Sequence, residues 1–179
     1  LWPSLGLIHG SRSSGDIVRS WNTFQHTARE NFHRNWQNGS LWWNDPDCAL
    51  LTGKLPENEY QFHASVMFAS GGMLLSGDNL TMLPPERLEM LRKLLPPTGK
   101  AAKFRDDSLE IGVIEDKGAL HVCFFNWGES SRTLSYPLAQ PMRARDFWKG
   151  EELGAVTEAL EVKDLPPHSA RIITLVPIS

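Results

Sequence analysis

Residues 42–48 read WWNDPDC, two tryptophans running straight into two carboxylates held apart by a proline. Pro46 fixes its own φ and pushes Asp45 toward an extended conformation. Leu41 to Trp43 therefore reads as a short strand that ends in a stiff turn, with Asn44, Asp45 and Asp47 at its tip. Flat aromatic walls beside convergent acids suit a polyhydroxylated ligand. A rigid turn whose carboxylates cap backbone amides has the same pattern, so the surroundings have to decide.

Working outward, the same design recurs on both sides. Leu5 to Ile8 is an apolar run closed by His9 and Gly10, the pattern of a buried strand emerging into a loop. Thr27 and Glu30 have capping-box spacing, which predicts a helix from about Ala28 to Gln37, with Phe32 and Trp36 on one face and Asn38-Gly39 as its stop. Pro56 suits the first turn of a second helix, with Tyr60, Ala64, Met67 and Phe68 on its apolar side and Gly71-Gly72 as its end. Met73 to Ser76 reads as a third strand running into Gly77-Asp78-Asn79, where Asp78 before Asn reads as a turn former sooner than as part of a pocket rim. A third helix, from about Pro85 to Leu95, stops at Pro96-Pro97. Strand and helix alternate, which is the rhythm of a parallel α/β architecture. Arg12, Asp16, Asp45, Asp47 and Asp78 all fall just after strands, where a (β/α)8 barrel carries its chemistry.

After about Lys100 the texture changes to short alternating strands. Leu109 to Ile114, Leu120 to Phe125, Arg132 to Tyr136, Ala144 to Trp148 and Ala170 to Val176 are the candidates, with turns at Lys117-Gly118 and Trp127-Gly128. These predict a small antiparallel β domain. The expected division is therefore 1–98 for the α/β part and 99–179 for the β part.

Composition excludes several classes. The 179 residues carry a net charge of -3 without a basic stripe, which argues against nucleic acid as a partner. No apolar run approaches the ~20 residues of a membrane span, and LWPSLGLIHG has no Met and no basic region ahead of its apolar residues. The opening reads as a piece of something longer, so compartment stays open between cytoplasmic and secreted. Cys48 and Cys123 make neither a disulfide framework nor a metal motif. The six histidines share no ligand spacing, and no metal or other cofactor is expected. Asn38-Gly-Ser40 and Asn79-Leu-Thr81 match the glycosylation pattern, which is short enough to arise by chance. Seven tryptophans exceed what a plain core of this length requires.

The runs PSLGLIHGSRSSGD (3–16), WWNDPDC, GGMLLSGDNL (71–80), FNWGES, DFWKGEELG and LPPHSARIITLVP resemble the C-terminal half of glycoside hydrolases of the α-galactosidase (melibiase) clan. They look nearer to family 36, then to family 27. The resemblance implies the last strands of a (β/α)8 TIM barrel followed by an antiparallel β-sandwich, and a retaining mechanism on terminal α-galactosides. The clan's Arg-x-x-x-Asp spacing after the sixth barrel strand matches Arg12 and Asp16, which implies Asp16 as acid/base and Arg12 as a ligand of a substrate hydroxyl. It also implies that Cys48 touches the sugar and that Asp45 braces the pocket. His9 and Ser11 stand where the clan usually has Asp and Met, and Ser13-Ser14-Gly15 where it often has Pro. The clan's nucleophile belongs to an earlier strand than any in this sequence. The missing half-barrel must then come from upstream sequence, a partner chain or copies of this one, since open parallel strands leave unpaired edges. The rival readings are a non-catalytic fragment or carbohydrate-binding scaffold, and an α-N-acetylgalactosaminidase parent.

Overall fold

The structure, a computed structural model, describes residues 2–178. The first half carries strands β1 (Gly10–Arg12), β2 (Trp43–Asp45), β3 (Cys48–Ala49) and β4 (Leu75–Ser76), with helices α1 (Trp21–His33), α2 (Glu57–Ser70) and α3 (Pro85–Lys93). β1 pairs with β2, and β3 with β4, both parallel. β2 and β3 are one strand direction interrupted at Pro46-Asp47, where the proline has no N–H to give and Asp47 adopts φ 73. Parallel strands joined through helices are the repeating unit of a (β/α)8 barrel.

The second half is antiparallel. Strands β5 (Lys103–Phe104), β6 (Ile111–Asp116), β7 (Ala119–Asn126), β9 (Met142–Asp146), β10 (Glu152–Val156) and β12 (Ser169–Pro177) form a six-stranded sheet in the order β10-β9-β12-β7-β6-β5. β8 (Arg132–Pro137) pairs with β11 (Ala159–Leu165) as a separate layer. The chain is thus α/β followed by an antiparallel β-sandwich.

The central strands explain their own sequence. In β7, Val122 and Phe124 pack with Leu134, Leu160 and Val162 of the outer pair, while Cys123 and Phe125 pack toward the helices. In β12, Ile173 and Leu175 face the first core and Ala170 and Ile172 the second. Successive residues point to opposite faces, so strands covered on both sides read as unbroken apolar runs. The aromatic rings of Phe32 on α1, Phe62 on α2 and Phe125 on β7 meet at 5.0 to 5.4 Å, making one core continuous across helices and sheet.

Several expectations are corrected. Leu5 to Ile8 is not a buried strand: Gly6 turns the chain at φ 78, Leu7 is 79% exposed, and pairing begins only at Gly10. The first helix starts seven residues before Ala28. Its cap is Ser20, whose hydroxyl accepts the Thr23 N–H, while the Thr27 hydroxyl donates back to the Thr23 carbonyl at 2.9 Å inside the helix. That helix also ends at the Arg34 cap, so Phe32 is buried and Trp36 is not. In the third helix Leu91 is buried, but Leu95 lies beyond the Leu94 cap and is exposed. β5, β10 and β11 carried no clear signal. β11, with Glu161, Lys163 and Asp164 exposed between apolar residues, is buried on one face only, and all but one residue of β10 is exposed.

One polar cluster clamps the helices to the sandwich. His168, held at φ 50 in the loop before β12, stacks on Trp21 of α1 at 3.9 Å. Its Nδ1 bonds to Glu59 of α2 at 2.9 Å and its Nε2 to Glu129 at 3.0 Å. Burial opposes the imidazolium, but hydrogen bonds to Glu59 and Glu129 outweigh it and raise the His168 pKa above the ordinary value. The stabilisation is then fully present below pH ~6.5 and lost as pH rises through the folded-state pKa. We expect the stability gap between the wild type and His168→Gln, read by urea unfolding, to be largest near pH 5.5 and to shrink above neutrality. A gap that widens with pH would reject the clamp.

Candidate functional site at the strand ends

The ends of β1 and β2 are tied through Asp47. Its Oδ2 accepts from Arg12 Nη2 at 2.7 Å and from the Ile17 N–H at 2.8 Å, and its Oδ1 accepts from the Cys48 N–H at 2.8 Å. The Asp47 N–H in turn donates to Asp45 Oδ1 at 2.9 Å. A non-glycine residue at positive φ is uncommon, and Asp is among those that tolerate it. Here four hydrogen bonds hold it there.

Arg12 reaches three oxygens through one nitrogen: Asp47, the Gly15 carbonyl at 2.9 Å, and Asp16 at 3.3 Å. Its Nη1 and Nε make no hydrogen bond with the described residues. The Asp16 side chain is 97% exposed, so the longest of these contacts goes to the freest carboxylate. The expected pair therefore does come together, with most of the guanidinium's attention on Asp47.

Helix α1 sets the loop that carries Arg12 and Asp16. Ser13 Oγ donates to buried Asn31 at 2.6 Å, Asn31 Nδ2 donates to the Pro46 carbonyl at 3.2 Å, and the Gly15 N–H donates to Glu30 at 2.7 Å. Glu30, which reads from sequence as half of a capping box, instead anchors the loop between Arg12 and Asp16. Nothing local marks Glu30 or Asn31 for that job, because their partners lie 15 or more residues away.

The remaining motif residues take structural work. Trp42 is buried and Trp43 half exposed, Asn44 is buried, and its Nδ2 donates to the Arg34 carbonyl at 2.9 Å. Cys48 sits at the start of β3 with Sγ against Gly77, whose position leaves no room for a Cβ. Burial, with the Asp47 carboxylate beside it, holds the Cys48 thiol above the ordinary range, so it stays protonated. Beneath β3, His63 of α2 accepts the Leu50 N–H at 3.1 Å, and burial pushes its pKa down to about 4. Asn38 uses both ends of its amide, donating to Gly99 and accepting from Asn44.

Asp78 after β4 is not the turn former that its sequence position implies; Asn79 caps that turn. The Asp78 side chain is 1% exposed and accepts from Arg19 at 2.7 Å, from the Leu51 and Thr52 N–H groups and from the Thr52 hydroxyl. Burial would raise its pKa, but the bonds from Thr52, Leu51 and Arg19 prevail and lower it. Its stabilisation is present above the ordinary carboxylate range and lost as pH falls through the depressed value.

Comparison with known proteins comes from structure alone. No family model and no curated protein matches the chain. Solved structures do. A GH27 β-L-arabinopyranosidase from Geobacillus stearothermophilus superposes with a TM-score of 0.82 at 21% identity, over 94% of this chain and 45% of that one. α-Galactosidase I from Mortierella vinacea gives 0.80 at 16% identity, over 93% and 53%. An α-galactosidase from Saccharomyces cerevisiae gives 0.78 at 15% identity, over 97% and 60%. The chain shares the fold of GH27 glycosidases. It spans about half the length of these structures, and none of them supports the nearer likeness to family 36.

Asp78→Ala should cost about 2–4 kcal/mol of stability, since it strands buried donors and an arginine together. Urea unfolding at pH 7 measures it; a loss below ~0.5 kcal/mol would show that the clamp is slack.

Proposed function

We propose that this chain is the C-terminal part of a retaining glycoside hydrolase acting on terminal α-galactosides, and that it supplies the acid/base Asp16. The observation that carries the reading is Arg12 at the end of β1 and Asp16 four residues on, brought together at the strand-end face with Arg12 Nη2 at 2.7 Å from Asp47 and 3.3 Å from Asp16, in a fold shared with GH27 glycosidases. Residues 1–98 form the last strands of a (β/α)8 barrel and 99–179 its β-sandwich. The rest of the barrel, with the nucleophile, comes from upstream or partner sequence and pairs along the open edges of β1 and β4.

The chemistry follows from two carboxylates. The nucleophile attacks the anomeric carbon and displaces the aglycone oxygen, to which Asp16 delivers its proton. Water then attacks the glycosyl ester, giving its proton to Asp16 as the nucleophile leaves. Arg12 holds a sugar hydroxyl through the nitrogens it leaves free, and Cys48 and Asp45 edge the pocket. A second reading, an α-N-acetylgalactosaminidase, is favoured by a TM-score of 0.74 to a structure described as a putative enzyme of that kind from Bacillus halodurans.

The purified chain by itself should not turn over nitrophenyl α-galactoside, because no covalent intermediate forms without the nucleophile. In the complete protein, Asp16→Ala should slow poor leaving groups ~10²–10⁴-fold, spare activated ones at the first step, and yield an α-galactosyl azide, with the substrate's configuration retained, when azide is added. Equal loss on both substrate types with no azide product would remove Asp16 from the role. Nitrophenyl β-L-arabinopyranoside and the N-acetylgalactosaminide, assayed alongside, separate the sugars.

Arg12→Lys tests the hydroxyl contact. A planar guanidinium spans two acceptors where an ammonium is a point charge, so kcat/KM should fall by about 2 kcal/mol. Most of that loss should vanish on a 2-deoxygalactoside. An undiminished loss on the deoxy substrate would mean that Arg12 serves only Asp47 and Asp16.

A further inference from the structure

Helix α1 stops at the Arg34 cap, and the 3-10 turn that follows at Asn35–Gln37 buries Asn35 and turns Trp36 outward. Asn35 is locked by donating to the carbonyls of Ala69 at 3.2 Å and Ala102 at 2.9 Å. The Trp36 indole is 58% exposed and belongs to neither core. It stands beside a groove of about 690 Å³ between this turn and β5, the outer strand of the six-stranded sheet. That volume falls within the ~300–1,000 Å³ of small-ligand sites. His33, Ser40 and Arg105 also line it, and Lys103 and Arg105 are balanced by Asp106 and Asp107.

A neutral groove with an exposed indole and hydrogen-bonding groups around it suits a ligand with one apolar face and a rim of hydroxyls. Trp36 and Asn38 sit at the entry to β2, whereas Arg12 and Asp16 follow the exit of β1. The groove is therefore apart from the strand-end site.

We propose that it is a second saccharide site, where a pyranose ring of a neutral polysaccharide stacks on Trp36 and is hydrogen-bonded by His33, Ser40 and Arg105. The proposal rests on the glycosidase reading for its choice of probe, a soluble galactomannan. The test is affinity electrophoresis of the chain as given, which needs no turnover. The wild type should be retarded by galactomannan, and Trp36→Ala and Ser40→Arg should each bind at least tenfold more weakly with unchanged urea unfolding. Asp16→Asn should be retarded like the wild type. Absence of wild-type retardation, or retardation that survives both groove substitutions, overturns the proposal. If retardation is lost in Asp16→Asn and kept in Trp36→Ala, binding belongs to the strand-end site and the groove is again rejected. The hydrolysis assays on the complete protein stand or fall separately.

Discussion

The strand-end face depends on one carboxylate, that of Asp47. Pro46 interrupts the strand, Asp47 takes the left-handed conformation behind it, and the freed carboxylate turns to meet Arg12 and the Ile17 N–H across the gap to β1. Parallel strands β1 and β2 share only three residue pairs. Without the Asp47 bridge the loop from Ser13 to Ile17 would keep Asn31, Glu30, Arg34 and the bonds of Ser13 and Ser14 to the Asp45 and Pro46 carbonyls, all between Ser13 and Gly15, and would lose its tie at Ile17. The same Arg12 nitrogen also reaches the exposed Asp16 carboxylate, at the longer distance of 3.3 Å.

A second constraint carries the short strands. Strands of two or three residues contribute few hydrogen bonds of their own, so the face is held from behind by α1 and α2, which share a core with β7 and β12. The sandwich is in this sense a foundation: its six-stranded sheet buries one face on the helices and the other on β8 and β11. His168 and Asp78 pin the two ends of that stack, one between α1, α2 and the β-sandwich, the other between the exits of β3 and β4 and Arg19.

Much of this was legible residue by residue. The alternation of strands and helices, the Gly71 stop at φ 65, the Lys117-Gly118 turn and the β7 and β12 runs all follow from local chemistry that the structure repeats. The misreadings share a cause. Thr27-x-x-Glu30 satisfies the capping pattern, yet tertiary contacts use both residues otherwise: Thr27 bonds within its helix and Glu30 reaches Gly15. Leu5 and Leu7 look like core and are exposed. Asp78 looks like a turn former and is a buried acceptor, because its partners Arg19 and Thr52 are distant in sequence. Arg12 and Asp16 stood out through the resemblance to the α-galactosidase clan, whereas the contact of Asp47 with Arg12 could be seen only once β1 and β2 were side by side.

A double-mutant cycle on Arg12 and Asp47 tests this arrangement most directly, using Arg12→Gln, Asp47→Asn and the double variant, with stability read by urea unfolding at low salt and pH 7. If Asp47 joins the strand ends through Arg12, the two losses should be non-additive, with a coupling of at least ~0.5 kcal/mol. Losses that add to within about 0.3 kcal/mol would contradict the account and leave Arg12 and Asp47 as neighbours with no shared task.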